Sequence, residues 1–160
     1  MRFSGRVFKV GKFWAVEVPL LGVTSQGHTR GEALEMIADA IESLVNKKGF
    51  KVLVNPGDGE HFEVGSEDLA TLISFLLRRI RQREGVSLAE AAKRLGATSV
   101  NSYARYEQGA SVPSAAKLFD LLTAITHGSD FIIEESRYHT PRRPKGRNGS
   151  GFKTGHAAVR

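Results

Sequence analysis

Apolar residues change period midway along this chain. In the first 54 or so residues they come in short runs and alternate with polar ones, while from residue 66 they recur every three or four positions. Residues 2–10 and 13–18 are rich in Phe, Val and Trp and meet at Gly11-Lys12, a pattern that predicts a β-hairpin. In its second arm Trp14, Val16 and Val18 share one face at period two. Pro19 and Gly22 interrupt the pairing, and Val23-Thr24-Ser25 can return as a third short strand. Thr29 with Glu32 forms a capping box, so a helix is expected from there to about Asn46, burying Leu34, Ile37, Ala38, Ile41 and Leu44 or Val45. Lys47 and Lys48 suit the negative C-terminal end of that helix, and Gly49 suits the left-handed position after it. Phe50, Val52 and Val54 alternate as a last strand before the turn cluster Asn55-Pro56-Gly57-Asp58-Gly59. The expected front unit is therefore β-β-β-α-β, with one helix across a small sheet.

Helical spacing takes over after Ser66-Glu67-Asp68, an acidic cap that suits the helix dipole. Leu69, Leu72, Ile73, Leu76 and Ile80 follow on one face. Ser87 and Glu90 then open a short helix whose inner side is Leu88, Ala91, Ala92 and Leu95, small enough for close approach by a neighbour. Gly96 supplies a sharp exit, and Thr98 or Ser99 can cap the next helix. That helix turns Tyr103 and Tyr106 inward and leaves Val100, Asn101, Ser102 and Arg105 outward. A further helix starts at Pro113-Ser114 with Leu118, Leu121, Leu122 and Ile125 on one stripe. The result is a bundle of at least four helices. The fold class is α+β, divided as residues 1–65, residues 66–128 and a remainder, 129–160. In the remainder Phe131-Ile132-Ile133 could extend the bundle, add a strand or cover a dimer interface. Residues 136–160, rich in Gly, Pro and Arg, have the composition of a disordered basic tail.

Charge changes the picture by its placement. Residues 1–66 hold eight Lys/Arg against eight Asp/Glu, residues 67–128 eight against six, and residues 129–160 seven against three. Polyanion binding is thus expected from the helical half and the tail, not from the front. Two short helices joined at a tight turn present the second one outward, at a width that fits the major groove of B-DNA. Asn can pair bidentately with adenine and Arg with guanine. The candidate DNA contacts are Ser99, Val100, Asn101, Ser102 and Arg105, with Arg81 and Arg83 either gripping phosphate or merely complementing a helix C-terminus.

Other chemistries find little purchase. The chain has no cysteine, which excludes disulfides and thiolate metal sites. Its five histidines lack ligand spacing, and no Gly-Lys-Ser/Thr phosphate loop occurs, so neither metal nor cofactor is expected. Glu17 alternates away from the apolar strand face, and Glu35, Asp39 and Glu42 follow the outer side of the first helix, as solvated carboxylates do. Trp14 is expected in the core and His28 in an exposed loop; Phe13 fits either core or surface. No apolar run reaches membrane-spanning length and no signal-peptide pattern opens the chain, so a cytoplasmic location without membrane contact is expected.

Two stretches resemble known families. Residues 69–126 resemble the Cro/repressor-type helix-turn-helix family, whose YE-x-G-x-x-x-P ending stands here as Tyr106-Glu107-Gln108-Gly109 through Pro113. The stretch from Gly96 to Glu107 is one residue longer than the usual spacing, which leaves base-contact positions open by one. Residues 3–54 resemble the HicB antitoxin family. The shared features are an aromatic strand from Trp14 ending at Pro19, a turn containing Gly22, Thr24 or Ser25 before Gln26-Gly27-His28-Thr29, and Glu32-Ala33 opening a helix. That resemblance implies a truncated ribonuclease-H-like front domain that occludes a small RNA-cleaving toxin, HicA. It also implies a C-terminal domain that represses the operon at its operator. A homodimer or larger homo-oligomer without catalysis is expected, because helix-turn-helix proteins of this type meet two half-sites by two-fold symmetry, through either the front sheet or the helices around Leu118 to Ile133. The partner-binding residues stay unassigned. Two rivals remain: a stand-alone regulator whose front domain binds a ligand or only dimerises, and a nuclease using front-domain carboxylates.

Overall fold

A computed structural model describes residues 1–136; the expected basic tail, from 137 onward, lies outside the described residues. The front half is a five-stranded sheet of β1 (Arg2–Val10), β2 (Phe13–Val18), β3 (Val23–Gly27), β4 (Leu53–Pro56) and β5 (His61–Gly65). The strands lie in the order β3-β2-β1-β5-β4. Every neighbouring pair is antiparallel. The helix α1 (Arg30–Val45) packs along β3 and β2. Phe3 and Val7 of β1, Val16 and Val18 of β2, Val23 of β3, and Phe62 and Val64 of β5 are all buried, as period-two alternation requires.

Glycines decide two of the closest approaches. Gly5 stands opposite Phe62 in the β1–β5 register, and the Phe62 ring fills the space its Cβ would need. Gly27 is where β3 hands over to α1, and a Cβ there would lie 2.5 Å from the Ala33 nitrogen. The glycine of the Ser25-Gln26-Gly27-His28-Thr29 string is thus a packing requirement. It lets the first turn of α1 sit directly on the strand end. The cap forms as expected on one side, with the Glu32 N–H donating to Thr29 Oγ1 at 3.1 Å. The Glu32 carboxylate reaches one residue further back than a capping box does, accepting from the His28 N–H at 2.7 Å.

The expected β-β-β-α-β order is corrected in one respect. A fifth strand, β5, follows the 55–59 turn cluster, which is a hairpin connection, and inserts between β1 and β4. Pairing begins only at Leu53, so Phe50 and Val52 precede the strand; Phe50 is nonetheless buried. This leaves β4 at the sheet edge, where Pro56 is tolerated because no further strand needs its missing N–H. The left-handed position closing α1 is taken by Asn46 (φ 50°), ahead of Gly49 (φ 81°).

The helical half contains α2 (Leu69–Arg83), α3 (Leu88–Arg94), α4 (Asn101–Glu107) and α5 (Ala115–Ile125), the four-helix bundle expected. Asp68 caps α2 by accepting from the Thr71 N–H at 3.1 Å, and Ser114 caps α5 in the same way from Lys117. In α2, residues 71–77 are all buried, so this helix has no solvated side along that stretch. It packs against α4, α5 and the 3-10 turn at Pro19–Leu21. Its Arg79 donates to the carbonyls of Leu21 at 2.9 Å and Gly22 at 2.8 Å. The buried residues of both halves form one continuous cluster through α2.

Residues 129–136 adopt neither helix nor strand. Phe131 packs on the core, while Ile132 and Ile133 stand 86% and 81% exposed. The segment runs back to the front sheet, where the Ser136 hydroxyl donates to Glu63 at 2.6 Å and accepts from Arg2 at 3.2 Å. It therefore neither extends the bundle nor adds a strand.

Candidate nucleic-acid interface

The helix pair α3–α4 is built by small residues and one glycine. Ala91 and Ala92 are fully buried and let α4 approach α3 closely. After α3 the chain turns at Gly96 (φ 70°), whose N–H bonds the Lys93 carbonyl at 2.9 Å; the Ala97 N–H bonds Ala92 at 3.0 Å. The Ser87 cap accepts from the Glu90 N–H at 3.1 Å, but the Glu90 carboxylate pairs forward with Arg94 at 3.0 Å, so only half of the capping box forms. The N-cap of α4 is Val100, without a side-chain cap, and neither Thr98 nor Ser99 caps the helix as expected; Ser99 Oγ only accepts from the Asn101 N–H at 3.3 Å just ahead of it.

Burial sorts the faces of α4. Tyr103 is fully buried and Ala104 nearly so, while Tyr106 is half-buried. Ser99, Val100, Asn101 and Arg105 are exposed and Ser102 is half-buried, so the structure brings these five candidates together along one outward side. The Arg105 guanidinium lies 5.3 Å from the centre of the Tyr106 ring and donates to Ser111 Oγ at 2.9 Å. Both interactions fix the guanidinium beside the end of α4.

Arg81 and Arg83 are placed elsewhere. Arg81 forms a bidentate pair with Glu107, at 2.6 and 3.0 Å, and gives its remaining terminal nitrogen to the Val86 carbonyl at 2.8 Å. The side chains of this pair are 15% and 7% exposed. Arg81 thus fixes the end of α4 to α2, with all three guanidinium nitrogens engaged by Glu107 and Val86, and it stands apart from the exposed candidates of α4. Arg83 bonds Glu84 at 3.2 Å and leans towards the Pro19 and Leu20 carbonyls at 3.5 and 3.4 Å, on the front-domain side. The signal for Arg81 is present in the spacing: it falls four residues after Leu77 and eight after Ile73, on a buried stripe.

Tyr103 completes the interior of the pair. Its hydroxyl is sealed from solvent without a well-aligned hydrogen-bond partner. Burial, reinforced by the nearby Glu107 carboxylate, pushes the phenol far above its ordinary range.

In the front half, Glu17 lies 3.9 Å from Arg6, Asp39 is exposed, and Glu42 accepts from Lys51 and from the Val52 N–H. Among the described residues no three His, Asp or Glu side chains are grouped to hold a metal ion. Trp14 is half-buried against the core, whereas Phe13 is 41% exposed and meets the ring of His28, itself exposed, at 5.1 Å. No helix among the described residues is long and apolar enough to cross a membrane.

Two short helices packed through Ala91, Ala92 and Tyr103, with a polar second helix turned outward, define a helix-turn-helix module. Residues 73–126 match a family model described as a helix-turn-helix domain, which supports a DNA-binding domain over the helical half. No curated protein matches the chain significantly.

Proposed function

We propose that the chain is an antitoxin and autorepressor: α4 reads an operator while the front sheet domain binds and neutralises a HicA-like RNA-cleaving toxin. The observation that carries the DNA half is the sorting of α4, with Tyr103 and Ala104 inward and Ser99, Val100, Asn101 and Arg105 outward. The antitoxin half, including the truncated ribonuclease-H-like fold and HicB kinship, is supported by the Trp14–Ala33 string. Its glycine has a structural task at the β3–α1 junction. A neutral front domain with exposed Val10 and Phe13 beside each other in the hairpin suits a protein partner better than phosphate. The reading assigns the front domain no catalysis, and the ion pairs of Glu17 with Arg6 and of Glu42 with Lys51 are in keeping with carboxylates that serve the surface. The proposed operator-binding form is a homodimer, whose two α4 helices meet half-sites about 34–36 Å apart.

The test has two arms. In a gel-shift titration on the chain's own upstream DNA, Arg105→Ala is expected to weaken binding by about 1–3 kcal/mol and to relax specificity at one position. Unchanged affinity and specificity remove Arg105 from the interface. In the second arm the full chain is co-purified with the product of the neighbouring gene. Stable capture and suppression of its RNA cleavage are expected, and failure to bind overturns the antitoxin half alone.

A second reading has one observation in its favour. A groove of about 690 Å³ lies between the sheet and residues 132–136, lined by Arg2, His61, Glu63, Ile132 and Glu134 among others. A stand-alone regulator could hold a small ligand there, and saturable ligand binding that alters operator affinity, with no neighbouring toxin, would favour it.

A further inference from the structure

Among the described residues from 88 to 125, Val100 and Val112 are the only large apolar side chains left exposed, at 43% and 56%. Val112 lies in the loop after α4, whereas Val100 shares the outward side with Asn101 and Arg105. Val100 does nothing for the helix it precedes. An apolar side chain cannot accept the hydrogen bond that Ser, Thr, Asn or Asp would accept there, and none is made. Its methyl groups, standing in water, add nothing to the core either. A residue that breaks a local rule without gain to the fold points to a surface shaped by what it binds. Beside it, the Asn101 amide forms no hydrogen bond with another described residue, so its donors and its acceptor are left for a base edge. Arg105 is steadied by the Tyr106 ring and the Ser111 hydroxyl.

Three different side chains on one outward side divide the base pairs between them. In the major groove adenine offers N7 and its N6 amino group to a bidentate amide, and guanine offers N7 and O6 to a guanidinium. Thymine offers a methyl group, which only apolar contact can read. That methyl is the one base feature a valine can recognise. We infer that Val100 is a specificity-determining residue that packs on a thymine 5-methyl group. Val100 and Asn101 then confine their stretch of each half-site to A·T pairs, and Arg105 selects a G·C pair in the same half-site. The inference rests on the DNA-binding reading above and deepens it by naming the base pairs that α4 selects. Because the Val100 contact buries apolar surface and neutralises no phosphate, its share of the affinity does not weaken as salt rises.

The experiment first lets the full chain select its preferred duplexes from a pool randomised over about three helical turns. On the selected duplex each thymine is then replaced in turn by deoxyuridine, which removes the 5-methyl group and leaves the pairing edge unchanged. Parent affinity should fall about fourfold at one thymine in each half-site, the effect of one methyl group returned to water, and by the same factor across a salt series. Full-length Val100→Ala should bind the unmodified duplex more weakly by at least a similar factor and lose nothing further at those thymines. Since Val100 is exposed and caps nothing, the variant keeps the thermal midpoint of the parent, and the comparison reads the contact and not the fold. A parent indifferent to every deoxyuridine, or a Val100→Ala chain that loses as much as the parent at the same thymines, overturns the thymine assignment and leaves the DNA-binding reading standing. A pool that yields no preferred sequence overturns both.

Discussion

At the scale of single residues, the Arg81–Glu107 pair ties the end of α4 to α2. Both charges are largely withdrawn from water, at 15% and 7% side-chain exposure. Such a pair contributes little relative to an apolar replacement, but breaking it leaves one charge stranded. Arg81→Leu is therefore expected to destabilise the chain by about 3–5 kcal/mol, since Glu107 loses its partner. Adding Glu107→Leu should recover much of that loss. Denaturant midpoints of parent, single and double variants measure this, and a single variant as stable as the parent defeats the clamp. Sequence spacing places Arg81 on the buried stripe of α2, yet a cluster of four arginines between 78 and 83 reads equally well as a basic patch. What separates the two is the partner, and Glu107 is 26 residues away. Long-range pairing of charges is invisible to periodicity. By contrast, spacing alone puts Tyr103 and Arg105 on opposite sides of α4, because helical geometry fixes that locally.

Among the elements, helix starts are the most legible, since Thr29, Asp68, Ser87 and Ser114 act through hydrogen bonds three residues away. Strand β5 is the least. Its five residues hold only two inward apolar side chains, Phe62 and Val64, and its identity depends on β1 and β4 on either side. The cap of α2 carries a pH prediction. Lys47 Nζ donates to the Asp68 carboxylate at 2.8 Å, and the Thr71 hydroxyl and N–H donate at 2.7 and 3.1 Å. These bonds pull the Asp68 pKa down to about 2 from an ordinary 3.8. Because the folded value is the lower one, the contribution is complete above pH 4 and disappears as pH falls towards 2. For a carboxylate one-third exposed it amounts to roughly 1 kcal/mol. Glu42, lowered by its bonds from Lys51 and Val52, acts in the same direction. Asp68→Asn keeps a capping oxygen but no charge, so the decline of the unfolding midpoint between pH 4 and 2 should flatten in part. An undiminished decline would show that the cap carries no charge-dependent stability.

For the whole molecule, the division at residue 65 separates two kinds of pattern but not two cores. Helix α2 is buried from 71 to 77 between α4, α5 and the Pro19–Leu21 turn, and Arg79 bonds two carbonyls of the front domain. A helix without a solvated side must be covered by both neighbours, and removing either exposes it. The chain is accordingly expected to unfold as one cooperative unit. Its single tryptophan, Trp14 in β2, reports on the sheet, while far-UV circular dichroism reports mainly on the helices. The two denaturation curves should coincide. Leu77→Ala, which empties a fully buried site on α2, should shift both together by about 2–5 kcal/mol. If the curves separate, or if Leu77→Ala moves the dichroism signal and leaves Trp14 fluorescence in place, the halves fold independently. Coincidence has a functional corollary: a partner that grips the front sheet stabilises the same unit that presents α4. Its binding energy then acts on the folded state of both halves at once. That coupling follows from α2 being shared and does not require α4 to move.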